Sequence, residues 1–180
     1  MSAVTSDALF EAIADGAARE SPLWGDTLLA PHAREPVPVF SQLLPEPRFA
    51  LGIETIYEGY LLHYGRARLF APSDDDIALL LGDALLAHGL VRIADTGSTI
   101  AVGDVAGLLS LCAQAQADGL DGDGAAWAAT AALLGRGGLE EARSSLREER
   151  DPAPLERLAR RTVGDRAVDE ALAAHGARLV

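Results

Sequence analysis

The stretch Asp76–Asp95, DIALLLGDALLAHGLVRIAD, decides the fold class of this chain. It is apolar nearly all round, which is typical of a helix at the centre of a helical core. Asp83 and His88 lie in the middle of it, and buried polar groups need partners. We therefore expect a core helix over about residues 75–95, with Asp83 tying it to a neighbouring helix.

The composition of the whole chain favours helices. Hydrophobic residues make up 49% of the 180 residues, mostly Ala and Leu, and β-branched and aromatic residues are few. This mixture favours helix over strand, and the length suits one domain with a sizeable core. No run alternates polar and apolar residues as a half-buried strand does. The sequence predicts an all-α helical bundle with a proline-rich N-terminal arm.

The apolar periodicity and the turn residues place the helices along the chain. Helices are predicted over about residues 5–20, 49–69, 75–95, 100–118, 125–135, 139–150 and 153–175. Five prolines between Pro31 and Pro47 exclude a continuous helix there, so residues 21–48 should form a broken connector anchored by Trp24 and Phe40. The single domain then divides into a helix and arm, residues 1–48, and a helical part, residues 49–180.

The charge of the chain bounds its partners and its location. The net charge of −12 argues against nucleic acid or an anionic membrane surface as partner. We expect no membrane span, because Asp83, His88 and Arg92 interrupt the most apolar segment. Cys112, the only cysteine, lies in an apolar helical context and should be a core residue. The N-terminus lacks a basic region followed by an apolar run, so a cytoplasmic protein is expected.

Two charged segments have a simple structural interpretation. The tail Glu140–Arg166 mixes both signs and should be a solvated face with pairs four residues apart, such as Glu156 and Arg160. The alternative for this tail is a partner-docking helix. The loop Asp121–Gly124 contains two Asp-Gly steps, but a calcium loop starting there would need an acid where Ala132 stands. It is better interpreted as a turn between two helices.

The segment GIETIYEGYLLHYGRARLF, residues 52–70, carries the candidate site. Its three tyrosines, Tyr57, Tyr60 and Tyr64, share one helical face. Glu54 and Glu58 lie four residues apart on an adjoining face, and His63 lies between the two faces. Two interpretations are open. The first is a metal or acid–base cluster, which would need Asp83 or His88 from the next helix; the second is an aromatic core stripe with a solvated acidic edge.

Asp83 is the polar residue whose partner matters most. It is five residues from His88, so the two do not share a helix face. Its expected partner is Arg66, Arg68, His63 or a tyrosine hydroxyl of the preceding helix. The triple acid Asp74–Asp76 should cap the start of the core helix, because carboxylates there accept free backbone N–H groups and complement the helix dipole.

Two elements resemble the polyprenyl synthetase family, the trans-isoprenyl diphosphate synthases. Leu81-Gly82-Asp83-Ala84-Leu85-Leu86-Ala87 is similar to one of its helices, and Glu54–Tyr57 followed by Leu61-Leu62-His63 is similar to an earlier one. The resemblance covers about residues 50–135 and implies an isoprenoid-synthase-like helical fold. Catalysis in that family implies magnesium ions on two aspartate-rich clusters, and Arg and Lys on the phosphates.

The chain departs from the family pattern where the chemistry would lie. Tyr64-Gly65 stand where the first aspartates would be, no second aspartate cluster follows, and there is no Lys. The closest resemblance in kind is therefore to the non-catalytic small subunit of two-component prenyl synthases. We expect a non-catalytic subunit or scaffold with a protein partner or self-association, and with no catalytic residue, metal or cofactor.

An alternative stays open from the sequence. The chain could be a small helical enzyme or ligand-binding protein whose pocket takes an isoprenoid or another small molecule. The residues that would line this pocket are Glu54, Tyr57, Glu58, Tyr60, His63, Tyr64, Asp83 and His88.

Overall fold

The computed structural model describes residues 6–179, and this part of the chain is all-α, as the composition predicts. Its α-helices are α1 (Ser6–Glu20), α2 (Pro22–Asp26), α3 (Ala50–Tyr64), α4 (Asp75–Ala94), α5 (Thr99–Ala117), α6 (Asp123–Leu133), α7 (Glu140–Glu149), α8 (Ala153–Val163) and α9 (Asp165–Gly176). Within residues 6–179, extended pairing is limited to two isolated bridges, Leu28 with Phe70 and Gly65 with Leu179. The predicted start of the first helix, residue 5, lies outside the described residues.

The helices α3 and α4 pack antiparallel through glycines seven residues apart on each helix. A Cβ at Gly59 would lie 2.8 Å from the carbonyl oxygen of Gly82, and one at Gly89 would lie 2.3 Å from Cγ1 of Ile56. Neither distance is tolerable for a real side chain. The two backbones can therefore approach this closely only because glycine occupies these positions, and Gly82 serves this contact.

The helix α4 begins as the triple acid predicts. The side chain of Asp74 is the N-cap and accepts from the backbone N–H groups of Asp76 and Ile77 at 2.8 and 3.2 Å. Asp75 and Asp76 occupy the first turn, where the helix dipole favours negative charge. These acids stabilise the helix start.

The proline-rich connector is broken, as predicted, and it packs onto the core. It contains α2 and three 3₁₀ turns, at Pro31–Ala33, Ser41–Leu43 and Pro47–Phe49. Phe40 is fully buried and stacks on Trp127 at 5.3 Å between ring centroids. Trp24 is half-buried beside α1. Phe40 is thus the main anchor of the connector, and Trp24 packs at its edge.

Two predicted helices are shorter in the structure. The helix predicted over 49–69 ends at Tyr64, because the chain turns away at Gly65. The backbone there passes so close to Arg178 that a Cβ on Gly65 would lie 2.6 Å from the carbonyl oxygen of Arg178. The helix predicted over 153–175 is two helices, α8 and α9, separated at Gly164 with φ of +91°. A left-handed residue cannot continue an α-helix, and glycine adopts this conformation at no steric cost.

The core has two apolar clusters. The larger one centres on α3, α5, α6 and the C-terminal helices, and it contains Cys112, which is buried as predicted. The smaller one packs α1 against α4 through Leu9, Phe10, Ile13, Leu69, Phe70, Leu81 and Leu85.

Two helices in the described range, α4 and α5, are long and apolar enough to cross a membrane by length and composition alone.

Candidate functional site

Glu54 and Glu58, the two carboxylates of the predicted acidic edge, are fully buried around Arg68. The guanidinium of Arg68 donates from Nη1 to Glu54 Oε2 at 2.5 Å and from Nε to Glu58 Oε2 at 2.8 Å. All three side chains have no exposed surface. The expectation of a solvated acidic edge is therefore wrong, because the chain after α3 folds back and brings an arginine onto both carboxylates.

The remaining polar atoms of this ion cluster also have partners. Glu54 Oε1 accepts from the backbone N–H groups of Val39 and Ser41 at 3.1 and 3.0 Å. Glu58 Oε1 accepts from the backbone N–H groups of Arg68 and Leu69 at 2.8 and 2.7 Å. The cluster thereby joins the N-terminal connector, α3 and the segment before α4.

The electrostatics of the ion cluster keep Arg68 charged. Burial disfavours the cation, but Glu54 and Glu58 outweigh that effect and raise the pKa of Arg68. Its guanidinium also lies over the rings of Phe10 and Tyr57, 4.7 and 4.9 Å from their centroids. A metal ion would need the carboxylate oxygens that Arg68 and four backbone N–H groups already occupy.

A second buried polar chain runs through two of the predicted tyrosines. The hydroxyl of Tyr57 lies 3.0 Å from His175 Nδ1, and His175 Nε2 lies 3.1 Å from Asp123 Oδ2. The hydroxyl of Tyr60 donates to the same Asp123 oxygen at 2.5 Å and accepts from Gln116 Nε2 at 3.0 Å. These contacts join α3, α5, α6 and α9.

Local structure places Asp123 for this role. Gly122 has φ of +122° and lets α6 begin with Asp123 in its first turn, where the helix dipole favours a carboxylate. Burial raises the pKa of Asp123, but hydrogen bonds from His175 and Tyr60 outweigh it, so this pKa lies below its ordinary value. Burial also raises the pKa of both Tyr57 and Tyr60. The carboxylate is thus ionised and both phenols keep their protons at neutral pH.

The order carboxylate, imidazole, phenol is also found in catalytic relays, but here the last group is inaccessible. Tyr57 has no exposed surface, and Phe40, Trp127 and Tyr60 pack around its ring. A substrate has no path to the hydroxyl in this conformation. The arrangement works as a polar tie inside the aromatic core.

The lowered pKa of Asp123 predicts acid sensitivity. Such a carboxylate stabilises the fold above its unfolded pKa, and the stabilisation is lost as the pH falls through its folded pKa. The free energy of unfolding should therefore fall below about pH 4. Asp123→Asn should flatten this decline, measured by urea unfolding at a series of pH values.

The control for this prediction is Asp121→Asn, which changes an exposed carboxylate two residues away. It should keep the wild-type dependence on pH. An Asp123→Asn variant whose stability declines with acid as steeply as the wild type would contradict the role given to Asp123.

The other predicted site residues lie near the surface and make no hydrogen bond to either buried cluster, although Tyr64 packs beside Tyr60. His63 Nε2 approaches Asp83 Oδ1 at 3.2 Å, without the alignment of a hydrogen bond. The Asp83 side chain is 67% exposed, so the tie to α3 exists but is not buried. His88 Nε2 lies 3.2 Å from Glu20 on α1. Tyr64 is partly exposed beside Tyr60.

Sequence reasoning missed the three residues that complete the buried clusters. The sequence predicts Arg68 as one of several partners for Asp83, but it pairs with Glu54 and Glu58 instead. The sequence places Asp123 in a turn and indicates no role for His175. The sequence signal for Arg68 is its place before Leu69 and Phe70, because a charged residue at the start of a buried apolar pair needs a partner. No comparable local signal marks His175.

The outer face of α4 carries an apolar seam, which we define as Ile77, Leu80, Ala84, Ala87, Val91 and Ala94. These positions alternate in steps of three and four residues, the spacing of a coiled-coil seam. Leu80 is 56% and Val91 58% exposed. Leu79 on α4 and Ile100 on α5 are also exposed, at 56% and 54%. The seam lies opposite the side of α4 that packs on α3 and α1.

Comparisons with known proteins add no family to these observations. Neither a protein-family model, nor a curated protein, nor a solved structure matches this chain. Among residues 6–179, no group of three or more His, Cys, Asp or Glu side chains is arranged to hold a metal ion. The resemblance to the polyprenyl synthetase family stays a prediction from the sequence.

Proposed function

We propose that this chain is a non-catalytic helical subunit that docks onto another protein through the apolar seam of α4. The exposure of Leu80 and Val91, each more than half open to solvent, carries the proposal. Contiguous apolar surface on a folded domain marks interaction sites, because its burial against a partner is favourable.

The interior polar groups are already paired with one another inside the fold, and this supports the same proposal. Glu54, Glu58 and Arg68 use their charges on one another and on backbone groups. The hydroxyl of Tyr57 faces His175 inside the core. A chemical role for these residues would require displacing contacts that join four or more segments of the chain. Their present arrangement is suited to holding the fold.

A prenyl diphosphate synthase is the partner class that we propose. The basis is the sequence resemblance over about residues 50–135, together with Tyr64-Gly65 in place of the aspartates expected directly after His63 and the absence of any Lys. A chain with this pattern would supply a helical surface to a catalytic subunit and leave metal and diphosphate binding to it.

The test is complex formation with an aspartate-rich prenyl synthase encoded in the same genome. Gel filtration with light scattering of the two purified proteins should give a species with their summed mass. Val91→Glu should weaken this complex at least about tenfold, because it places a charge in an apolar interface. Val37→Glu is the matched control, since Val37 is 50% exposed on the connector and away from α4.

Two results would overturn this proposal. The first is a chain that stays monomeric and forms no complex with the synthase. The second is magnesium-dependent turnover of a prenyl diphosphate by the chain alone, which would favour the alternative of a small helical enzyme.

A further inference from the structure

The partner surface that α4 recognises can be described by its chemistry. We infer that the apolar seam takes an amphipathic helix whose own apolar seam is bordered by Lys or Arg. This inference rests on the proposed docking function and adds the shape and the charge of the segment that docks.

The shape of the apolar seam favours a helix as its occupant. The seam runs from Ile77 to Ala94, about 26 Å along the helix axis. Its middle positions, Ala84 and Ala87, are small, while Leu80 and Val91 project on either side of them. Small residues at the centre let a second helix axis approach, and the steps of three and four residues match the knobs of a partner helix.

The charge around the apolar seam favours a basic occupant. The helix α4 and its two capping residues, Asp74 and Asp95, carry five carboxylates and one arginine. Asp76 and Asp95 are exposed near the two ends of the seam. Asp83 is also exposed, but its carboxylate lies 3.2 Å from His63 on α3.

The two basic groups of α4 are already engaged. Arg92 donates from Nη1 to Thr55 Oγ1 on α3, so its guanidinium points towards the core. His88 contacts Glu20 on α1. A helix with Lys or Arg beside its apolar positions would complement the remaining acids, whereas an acidic one would be repelled.

The same charges disfavour a second copy of this chain as the occupant. Two copies paired through the seam would bring two sets of α4 carboxylates together, in a protein whose net charge is −12. Like-charge juxtaposition at an interface opposes association. Self-association through α4 is therefore an alternative that the experiment must distinguish.

The experiment uses two synthetic helical peptides of about three heptads, with identical Leu and Ala seams. One carries Lys at the positions flanking the seam and the other carries Glu. Fluorescence anisotropy with the full chain at low salt should give binding of the Lys peptide at least about tenfold tighter than that of the Glu peptide. The difference should shrink at about 0.5 M salt, because screening weakens exposed charge pairs.

Two double variants, each of which removes two carboxylates, test which acids attract the Lys peptide. Asp76→Asn with Asp95→Asn should weaken binding of the Lys peptide several-fold. Asp118→Asn with Asp121→Asn removes two exposed acids of the loop after α5 and should leave binding unchanged. Val91→Glu should abolish binding of the Lys peptide, while Val37→Glu should preserve it.

The outcomes separate this inference from the proposed function. Binding of the Lys peptide through Val91, without a complex with the synthase, supports the inference and overturns the proposed partner class. Equal binding of both peptides overturns the inference while leaving docking through α4 intact. Failure of both peptides to bind, or a dimer of the chain that Val91→Glu dissociates, also overturns the inference.

Discussion

Arg68→Met is expected to lower the free energy of unfolding by about 3–5 kcal/mol, the cost of removing one partner from a buried ion cluster. The substitution leaves Glu54 and Glu58 fully buried with no cation between them. It also removes the donors to the carbonyl oxygens of Val37 and Glu54. Such a loss is a large fraction of the stability of an ordinary domain. Urea unfolding followed by circular dichroism measures it.

Two further variants make this prediction specific. Arg166→Met removes an arginine that is 90% exposed and pairs with Glu170 on the surface, and it should cause no measurable change. Arg68→Lys keeps the charge but loses the fork that reaches both carboxylates, so its effect should lie between those of the other two. Wild-type stability of Arg68→Met would show that the ion cluster does not hold the fold.

Gly89→Ala is expected to destabilise the chain by about 1–3 kcal/mol, the range for overpacking a close contact. Its Cβ would lie 2.3 Å from Cγ1 of Ile56, 2.8 Å from the carbonyl oxygen of Gly52 and 2.9 Å from the backbone nitrogen of Ile56. Two of these neighbours are backbone atoms, which cannot move without separating α3 from α4. Urea unfolding reports the change.

The direction of the stability change is what tests the close packing of α3 on α4. Gly→Ala at an unconstrained position inside a helix stabilises it by about 0.5–1 kcal/mol. Gly103 on α5 is such a position, because a Cβ there would have no neighbour within 4 Å. Gly103→Ala should therefore raise stability, and Gly89→Ala should lower it. If both variants gained stability, the tight packing of α3 on α4 would be wrong.

Helix positions were predictable because their signals are local. The acids Asp74–Asp76 cap α4, and the glycines after Leu134 follow the end of α6. The pair Glu156 and Arg160 forms on α8 at 2.6 Å, as its spacing predicts. Two helices were predicted to be too long, over 49–69 and 153–175. In each case one glycine, Gly65 or Gly164, ends a helix whose apolar pattern continues beyond it.

The candidate site was predictable only in part. The sequence brought Tyr57 and Tyr60 to one face of α3, and both are buried there. It could not tell that Glu54 and Glu58 are buried, because helical spacing indicates which residues share a face and not what covers that face. Asp83 shows the converse, since an apolar sequence context predicted burial and the side chain is mostly exposed.

The sequence by itself determined the all-α class, the apolar character of α4 and the lack of lysine. These properties depend on composition and on spacing within a few residues. Only the tertiary structure decided that Arg68 satisfies two buried carboxylates, that Asp123 meets His175, and that the apolar seam of α4 faces outward. Burial and pairing depend on which distant segments of the chain pack together. Glycines such as Gly59 and Gly89 let α3 pack close enough to α4 to exclude water from one side of α4. The other side of α4 stays exposed.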